Sequence, residues 1–257
     1  MMTFGGHLEV LRRMLFRVLG VSCAVAVAVF CFKDATWRVL MAPSEWDFVT
    51  YSLIERLAAA VGMTDFHFPE FHVKLIATDL SSQFMTHLTT SVYIGLLVAS
   101  PYILYELFRF VSPALTTGER KHSVKAVVAV YLLFMAGVLV SYYVLFPVSF
   151  RFLGTYSVSS RVESTITLDS YISTFITLTL LMGVVFQLPA VSFVLGKMGI
   201  VNAAALARYR KHAFIAILVV AAAITPGQDI LSLTLVSLPL YLLYEISIRV
   251  VKHCGCG

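Results

Sequence analysis

Six long apolar runs occupy most of this 257-residue chain, and they limit the folds that it can adopt. Hydrophobic residues make up 59% of the sequence, whereas charged residues make up only 13%. A helix of about 20 apolar residues crosses a hydrocarbon core that is about 30 Å thick. Because most of the runs are close to that length, the sequence predicts a protein that crosses a membrane several times.

The apolar runs are predicted to be transmembrane helices. Backbone polar groups in lipid must be hydrogen-bonded within their own segment, and the apolar-polar alternation of a barrel strand is absent. The first run contains Arg17 and is followed by no small-residue cleavage site, so we expect a retained span. A single all-α integral membrane domain is therefore expected over residues 1–257. Its six spans are predicted at residues 14–33, 84–108, 124–147, 171–196, 212–226 and 230–250.

Basic residues predict the orientation of these spans, because cytoplasmic loops retain Lys and Arg. With the N-terminus inside, the inner face carries 13 of the 19 basic residues and the outer face carries six. Acidic residues are distributed the opposite way, with four inside and ten outside. Both termini are therefore expected in the cytoplasm.

Two regions depart from the pattern of simple spans. The fifth run has about 13 uninterrupted apolar residues, from Ala213 to Thr225, which cover only about 20 Å as a helix. The first outer loop contains a helix signal, in which Ser44 and Asp47 resemble a capping box and apolar residues follow at helical spacing from Trp46. We expect an amphipathic helix there, with its apolar side covered by protein or by the membrane interface.

Gln187 is the clearest polar residue inside a span, because its amide requires partners in a region that offers few. One interpretation is a neutral hydrogen bond between helices, worth about 1 kcal/mol. The other is a role in binding a guest helix. The sequence alone does not decide between these two interpretations. Prolines interrupt four spans and are expected to bend them, at Pro101, Pro147, Pro189 and Pro239.

Motifs of enzymes are missing from the chain. The sequence has no Gly-x-Ser-x-Gly elbow, no His-Glu-x-x-His helix and no phosphate-binding Gly-x-x-x-x-Gly-Lys loop, and an intramembrane hydrolase built from distant residues is the one enzyme class left open. Cys254 and Cys256 supply only two of the four ligands of a tetrahedral zinc site. We therefore expect a non-enzymatic protein without a metal or a cofactor, and no binding of nucleic acid.

The short polar turn at residues 110–120 is the strongest indication of function. It contains a single carboxylate, Glu119, on the inner face, where few acidic groups are available. A ligand rich in arginine would find this carboxylate first. A carboxylate can accept two parallel hydrogen bonds from a guanidinium.

The order and spacing of several motifs resemble those of TatC, the multi-spanning receptor subunit of the twin-arginine protein translocase. The resemblance runs nearly end to end. Its motifs are His-Leu-Glu-Val-Leu-Arg-Arg at 7–13, Ala-Ser-Pro-Tyr-Ile-Leu-Tyr-Glu-Leu-Phe-Arg-Phe-Val-Ser-Pro-Ala-Leu at 99–115 with Glu119-Arg120, Phe-Gln-Leu-Pro at 186–189, Met-Gly-Ile at 198–200, Thr-Pro-Gly-Gln-Asp at 225–229 and Pro-Leu-Tyr-Leu-Leu-Tyr-Glu-Ile at 239–246.

The resemblance implies a concave, glove-like bundle of six helices with short fifth and sixth helices, in the cytoplasmic (inner) membrane. It implies a receptor that binds the twin-arginine signal peptides of folded cargo and recruits single-span partner subunits of the TatA and TatB type for export driven by the proton-motive force. Further copies of the chain and the lipid bilayer are expected partners. The signal-peptide site would include Glu119, Phe110, Glu9, Arg12, Pro113 and Arg120, and partner contacts would include Leu218, Thr225, Asp229 and Glu245.

Three departures from the family pattern affect these expectations. The acid of the N-terminal motif is Glu9, one position earlier than usual, and Val10 takes the usual place, which turns the acid by about 100° around a helix. Gln187 replaces the frequent glutamate of the fourth span and loses its titratable charge. Gln228 precedes Asp229 in the turn before the sixth span. The alternative function is a secondary transporter for a small solute, although the two halves of the chain show no matching repeats.

Overall fold

The structure is a computed structural model that describes residues 4–60, 75–111, 123–156, 165–225 and 230–253. The described residues are mostly helical. The helices are α1 (Phe4–Cys31), α2 (Lys33–Met41), α3 (Val49–Ala60), α4 (Ser82–Val111), α5 (Ser123–Val140), α6 (Phe146–Thr155), α7 (Leu168–Val185), α8 (Leu188–Lys197), α9 (Ala203–Arg208), α10 (Arg210–Ile224) and α11 (Ile230–His253). Two short strands, β1 (Leu75–Ile76) and β2 (Ile166–Thr167), pair in parallel.

Five stretches of the described chain are long and apolar enough to cross a membrane, by length and composition. They are Leu8–Cys31, Ser82–Phe110, Val127–Thr155, Leu168–Lys197 and Ile230–His253. The remaining predicted span corresponds to α10, whose 15 residues cover only about 22 Å. The prediction of a helical membrane protein is therefore confirmed, and α10 is short, as its apolar run indicates.

Prolines divide two of the spans into pairs of helices. In the third span, a π-helical turn over Ser141–Leu145 ends α5, and Pro147 lies in the first turn of α6. In the fourth span, α7 ends before Gln187 and Pro189 lies in the first turn of α8. Proline suits a first turn because it has no backbone N–H to leave unpaired there.

The buried core lies where α6 and α7 meet, and aromatic rings fill it. The ring centroids of Phe146 lie 5.0 Å from those of both Tyr171 and Phe175, in edge-to-face arrangements. Phe150 packs edge-to-face on Tyr171 at the same distance. Such pairs add about 0.5–1.5 kcal/mol each beyond the burial of their area, so this cluster holds the two helices together.

Helices α1 and α4 pack closely along their length. Where the last third of α1 meets the middle of α4, a Cβ atom on Gly95 would lie 2.7 Å from the Cα atom of Ala26, so only glycine permits this approach. Further along, the rings of Phe30 and His87 stack with centroids 4.3 Å apart. Small residues at a helix crossing are typical of membrane bundles, because close backbone contact replaces the hydrophobic driving force.

Tyrosine hydroxyls fix the end of α2 and the turn that follows it. Tyr142 and Tyr171 donate hydrogen bonds to the carbonyls of Val39 and Leu40, at 2.7 and 2.8 Å. The last carbonyls of a helix have no partner within the helix, so these hydroxyls satisfy groups that would otherwise be unpaired.

Tyr51 connects α3 to two other segments in a similar way. These are the turn that follows α2 and the first turn of α6. The Tyr51 hydroxyl approaches the carbonyls of Pro43 and Pro147 at 3.3 and 3.1 Å, and the Arg151 guanidinium lies 4.9 Å from its ring centroid. Burial raises the pKa of Tyr51 to about 12, while the positive charge of Arg151 opposes the shift. The hydroxyl therefore stays protonated and remains a donor near neutral pH.

The expected amphipathic helix is present as α3, and the described protein does not cover its apolar side. Trp46, Val49 and Leu53 are exposed, whereas Phe48 and Tyr51 are buried. Apolar spacing identified a helical face, and that face is turned away from the protein. The exposed apolar side is left for the membrane interface, which was one of the two expected coverings.

Candidate functional site

The structure describes seven of the predicted site residues. They are Glu9, Arg12, Phe110, Gln187, Leu218, Thr225 and Glu245. The other four, Pro113, Glu119, Arg120 and Asp229, lie outside the described residues. The geometry of the site is therefore built from the first half of α1 and the C-terminal end of α4.

The first half of α1 presents one carboxylate and three guanidinium groups along a shared groove. Glu9, Arg12, Arg13, Phe16 and Arg17 line a groove of about 600 Å³. Arg13 donates a hydrogen bond to the Glu9 carboxylate one turn earlier, and both side chains are exposed. The Arg12 guanidinium lies 5.8 Å from the ring centroid of Phe16. Glu9 is thus engaged within its own helix, which follows from its shifted position four residues before Arg13.

Glu106 of α4 is the buried carboxylate of this region, with a side chain only 5% exposed. Arg17 of α1 donates a hydrogen bond to it at 3.2 Å, and Arg109, one turn along α4, lies 3.9 Å away. The Tyr102 hydroxyl donates to the same carboxylate at 3.3 Å. Phe110 follows four residues after Glu106, so the two side chains lie on the same side of α4. We call Glu9, Arg12, Arg13, Phe16, Arg17, Glu106, Arg109 and Phe110 the α1–α4 cluster.

Sequence reasoning did not single out Arg17 and Glu106 as a pair. An acidic residue near the end of an apolar run is the signal that could have selected Glu106, because buried charges in spans require a partner. The identity of that partner depends on the packing of α1 against α4. The sequence does not specify this packing.

Gln187 lies at the break between α7 and α8 and bonds to the third span. Its amide nitrogen donates to the carbonyl of Val130 on α5 at 3.2 Å and approaches the carbonyl of Gly183 at 3.5 Å. Close packing of α5 on α7 makes this reach possible, since a Cβ on Gly137 would lie 2.6 Å from the Met182 carbonyl oxygen. Of the two interpretations of Gln187, the hydrogen bond between helices is the one that this geometry supports.

The three described partner residues lie on α11 and on or directly after α10. Glu245 accepts two hydrogen bonds from Arg210, at 2.8 and 2.9 Å, which join the start of α10 to α11. Thr225, directly after α10, is buried, and its hydroxyl has no hydrogen-bond partner among the described residues. Leu218 is half-buried, whereas its neighbours Ile215 and Val219 are exposed. The exposed side of α10 is therefore apolar.

Metal chemistry has no support in the described part of the chain, where no three His, Cys, Asp or Glu side chains come together. The exposed Cys23 and Cys31 are free thiols.

Comparison with known proteins identifies the family. The model of the family described as Sec-independent protein translocase protein (TatC) matches residues 6–239. The chain belongs to the TatC family. This assignment covers the described α1–α4 cluster and α10, together with the first ten residues of α11.

Relatives and solved structures agree with the assignment to TatC. The Sec-independent protein translocase protein TatC of Blattabacterium sp. subsp. Periplaneta americana is 34% identical over 255 residues, which are 97% of this chain and 94% of that protein. TatCy of Bacillus subtilis is 39% identical over 178 residues, 69% of this chain and 70% of that protein. A crystal structure of the twin-arginine translocase receptor TatC matches with a TM-score of 0.76 and 29% identity, over 97% of this chain and 99% of that one.

Membership of TatC determines the class of function. TatC proteins are components of a protein translocase and are not enzymes, which confirms the expectation of a non-enzymatic protein. The family assignment also favours protein transport over the alternative of a secondary transporter for a small solute. The α1–α4 cluster is the described region that contains predicted signal-peptide residues, since Glu9, Arg12 and Phe110 lie in it.

Proposed function

We propose that this chain is the receptor subunit of a twin-arginine translocase and that it binds the paired arginines of a signal peptide beside the α1–α4 cluster. The similarity to TatC proteins over almost the whole chain carries the proposal. The sequence places Glu119 and Phe110 at the same turn, where a carboxylate and an aromatic ring suit a guanidinium. Pro113 and Arg120 of the same sequence segment complete the proposed site.

Orientation of the chain in the inner membrane follows from the same proposal. Both termini lie in the cytoplasm, the α1–α4 cluster lies at the cytoplasmic side, and α3 lies outside. Basic residues of the cluster support this orientation, because Arg12, Arg13, Arg17 and Arg109 follow the preference of cations for the cytoplasmic side. Residues 1–257 act as one membrane domain.

Single-span partner subunits of the TatA and TatB type dock on α10 and on the adjoining part of α11. The short α10 thins the bilayer or requires a neighbouring helix, and its exposed side is apolar at Ile215 and Val219. Further copies of the chain assemble in the same translocase, and the proton-motive force drives export.

Binding of an arginine-pair signal peptide to the purified chain in nanodiscs tests the receptor assignment. The matched ligand carries a lysine pair in place of the arginines. We expect tighter binding of the arginine peptide, and Glu119→Gln should weaken it by about 1.5–3 kcal/mol, the range for a hydrogen bond to a charged group. Glu45→Gln removes an exposed acid that lies between α2 and α3 and serves as the control. Equal affinities for the two peptides would refute the receptor assignment.

A further inference from the structure

We propose that Glu106 is a second arginine-binding carboxylate of the receptor, and that Arg17 occupies it until a signal peptide arrives. The inference rests on the proposed function, because it concerns the same ligand. A pair of arginines presents two guanidinium groups, and Glu119 supplies one carboxylate. Glu106 lies one helical turn before Phe110, so it belongs to the same end of α4.

The described contacts of Glu106 all reach one of its two carboxylate oxygens. Arg17, Arg109 and Tyr102 all approach Oε1. Within the described part of the chain, Oε2 receives no hydrogen bond. The guanidinium of Arg17 therefore makes a single contact, at 3.2 Å, where a fork of two parallel bonds is possible.

A second ion pair of the same chain shows the complete geometry. Arg210 donates through Nε to Oε1 of Glu245 at 2.8 Å and through Nη2 to Oε2 at 2.9 Å. Arg17 and Glu106 lack that second bond. Since Arg17 and Arg109 are 48% and 62% exposed, each can leave for water without opening the core.

Exchange of one guanidinium for another keeps the buried charge of Glu106 balanced. Removing the cation without replacement would be costly, because a buried carboxylate needs a partner. An incoming arginine that engages both oxygens replaces Arg17 and adds a hydrogen bond. A lysine ammonium lacks the fork and gains less from the exchange. Glu106 would thus contribute to the preference for arginine over lysine.

Glu9 is a weaker candidate for the second carboxylate. It is exposed and is engaged by Arg13 on the same helix. Water screens such a pair, whereas the enclosed Glu106 keeps more of its attraction for a cation. The shift of the N-terminal acid to position 9 is therefore compensated by an acid on α4.

The competing interpretation is a static ion pair that only joins α1 to α4. Peptide binding and thermal unfolding of the full chain in nanodiscs separate the two interpretations. Under the exchange proposal, Glu106→Gln weakens binding of the arginine peptide by at least about tenfold and reduces discrimination against lysine. Arg17→Gln removes the competitor and tightens binding by up to about fivefold. A static pair predicts no tightening by Arg17→Gln.

The charge-swapped variant Arg17→Glu with Glu106→Arg is the sharpest test. It restores an ion pair between α1 and α4 but places an arginine where the peptide would bind. We expect the Tm to return towards that of the native chain while arginine-peptide binding stays lost. Recovery of both Tm and binding would overturn the proposal.

Parallel measurements on Glu119→Gln separate this inference from the proposed function. Suppose that the native chain prefers the arginine peptide, that Glu119→Gln loses this preference and that Glu106→Gln keeps it. The role of Glu106 is then refuted, while the proposed receptor function stands. If the native chain shows no preference, both proposals fail. Glu45→Gln again controls for the loss of one negative charge.

Discussion

Gly95 of α4 packs against Ala26 of α1 so closely that a Cβ atom at position 95 would lie 2.7 Å from the Ala26 Cα atom. The nearest atoms are the backbone N and Cα of Ala26 and its Cβ, none of which can turn aside as the end of a long side chain would. This contact fixes the distance between the two helices whose ends carry the α1–α4 cluster. The geometry of Arg17 and Glu106 therefore depends on a glycine at position 95.

Substitution of Gly95 tests this dependence. Gly95→Ala should lower stability by about 1–3 kcal/mol, the usual cost of overpacking, despite the better helix propensity of alanine. The Tm in detergent reports the change. Gly20→Ala on α1 is the matched control, because a Cβ there meets nothing within 4 Å of the described chain, so its Tm should hold or rise. Equal Tm values for both variants would contradict the close contact.

Removing the hydroxyl of Tyr171 should destabilise the end of α2. Tyr171→Phe keeps the buried ring and deletes the hydrogen bond to the Leu40 carbonyl, at an expected cost of about 0.5–1.5 kcal/mol. Thermal unfolding measures the loss. Tyr209→Phe provides the control, since Tyr209 is exposed and its hydroxyl makes no hydrogen bond among the described residues. An unchanged Tm for Tyr171→Phe would mean that water replaces the hydroxyl at Leu40.

Gln187 is expected to act as a structural link between spans. Gln187→Met removes the amide at similar length and should cost about 1 kcal/mol, the scale of hydrogen bonds between membrane helices. Affinity for the arginine peptide should stay at the native level. Leu188→Met, at the adjacent exposed position, controls for the thioether. A loss of peptide affinity with an unchanged Tm would instead favour contact between Gln187 and a guest helix.

Hydropathy predicted where the helices lie, because the requirement to cross lipid acts on each segment separately. The proline break beside Gln187 was also visible, since Pro189 limits its own backbone. Contacts between segments were not visible. The pairing of Arg17 with Glu106 depends on how α1 packs on α4 around Gly95, and no spacing within either helix contains that information.

The sequence left the covering of α3 open for a different reason. Apolar spacing at Trp46, Val49 and Leu53 correctly indicated a helix with an apolar side. Periodicity does not distinguish burial in protein from burial in a membrane interface, and in the structure these side chains are exposed while Tyr51 is held by Pro43 and Pro147. Buried hydrogen bonds of tyrosine decided which side packs.

Cysteine crosslinking tests α10 as the surface for partner subunits. Ile215 and Val219 are 61% and 64% exposed on a helix too short to cross the bilayer alone, so a neighbouring helix is expected to cover them. In a background without the four native cysteines, Ile215→Cys and Val219→Cys should crosslink to a single cysteine in the partner's transmembrane helix. Ile217→Cys, at a buried position of the same helix, should give none. Leu218, half-buried between these faces, should give an intermediate yield. Equal crosslinking at all four positions would indicate random collisions. The absence of crosslinks at both Ile215 and Val219 would show that the partner does not bind on α10.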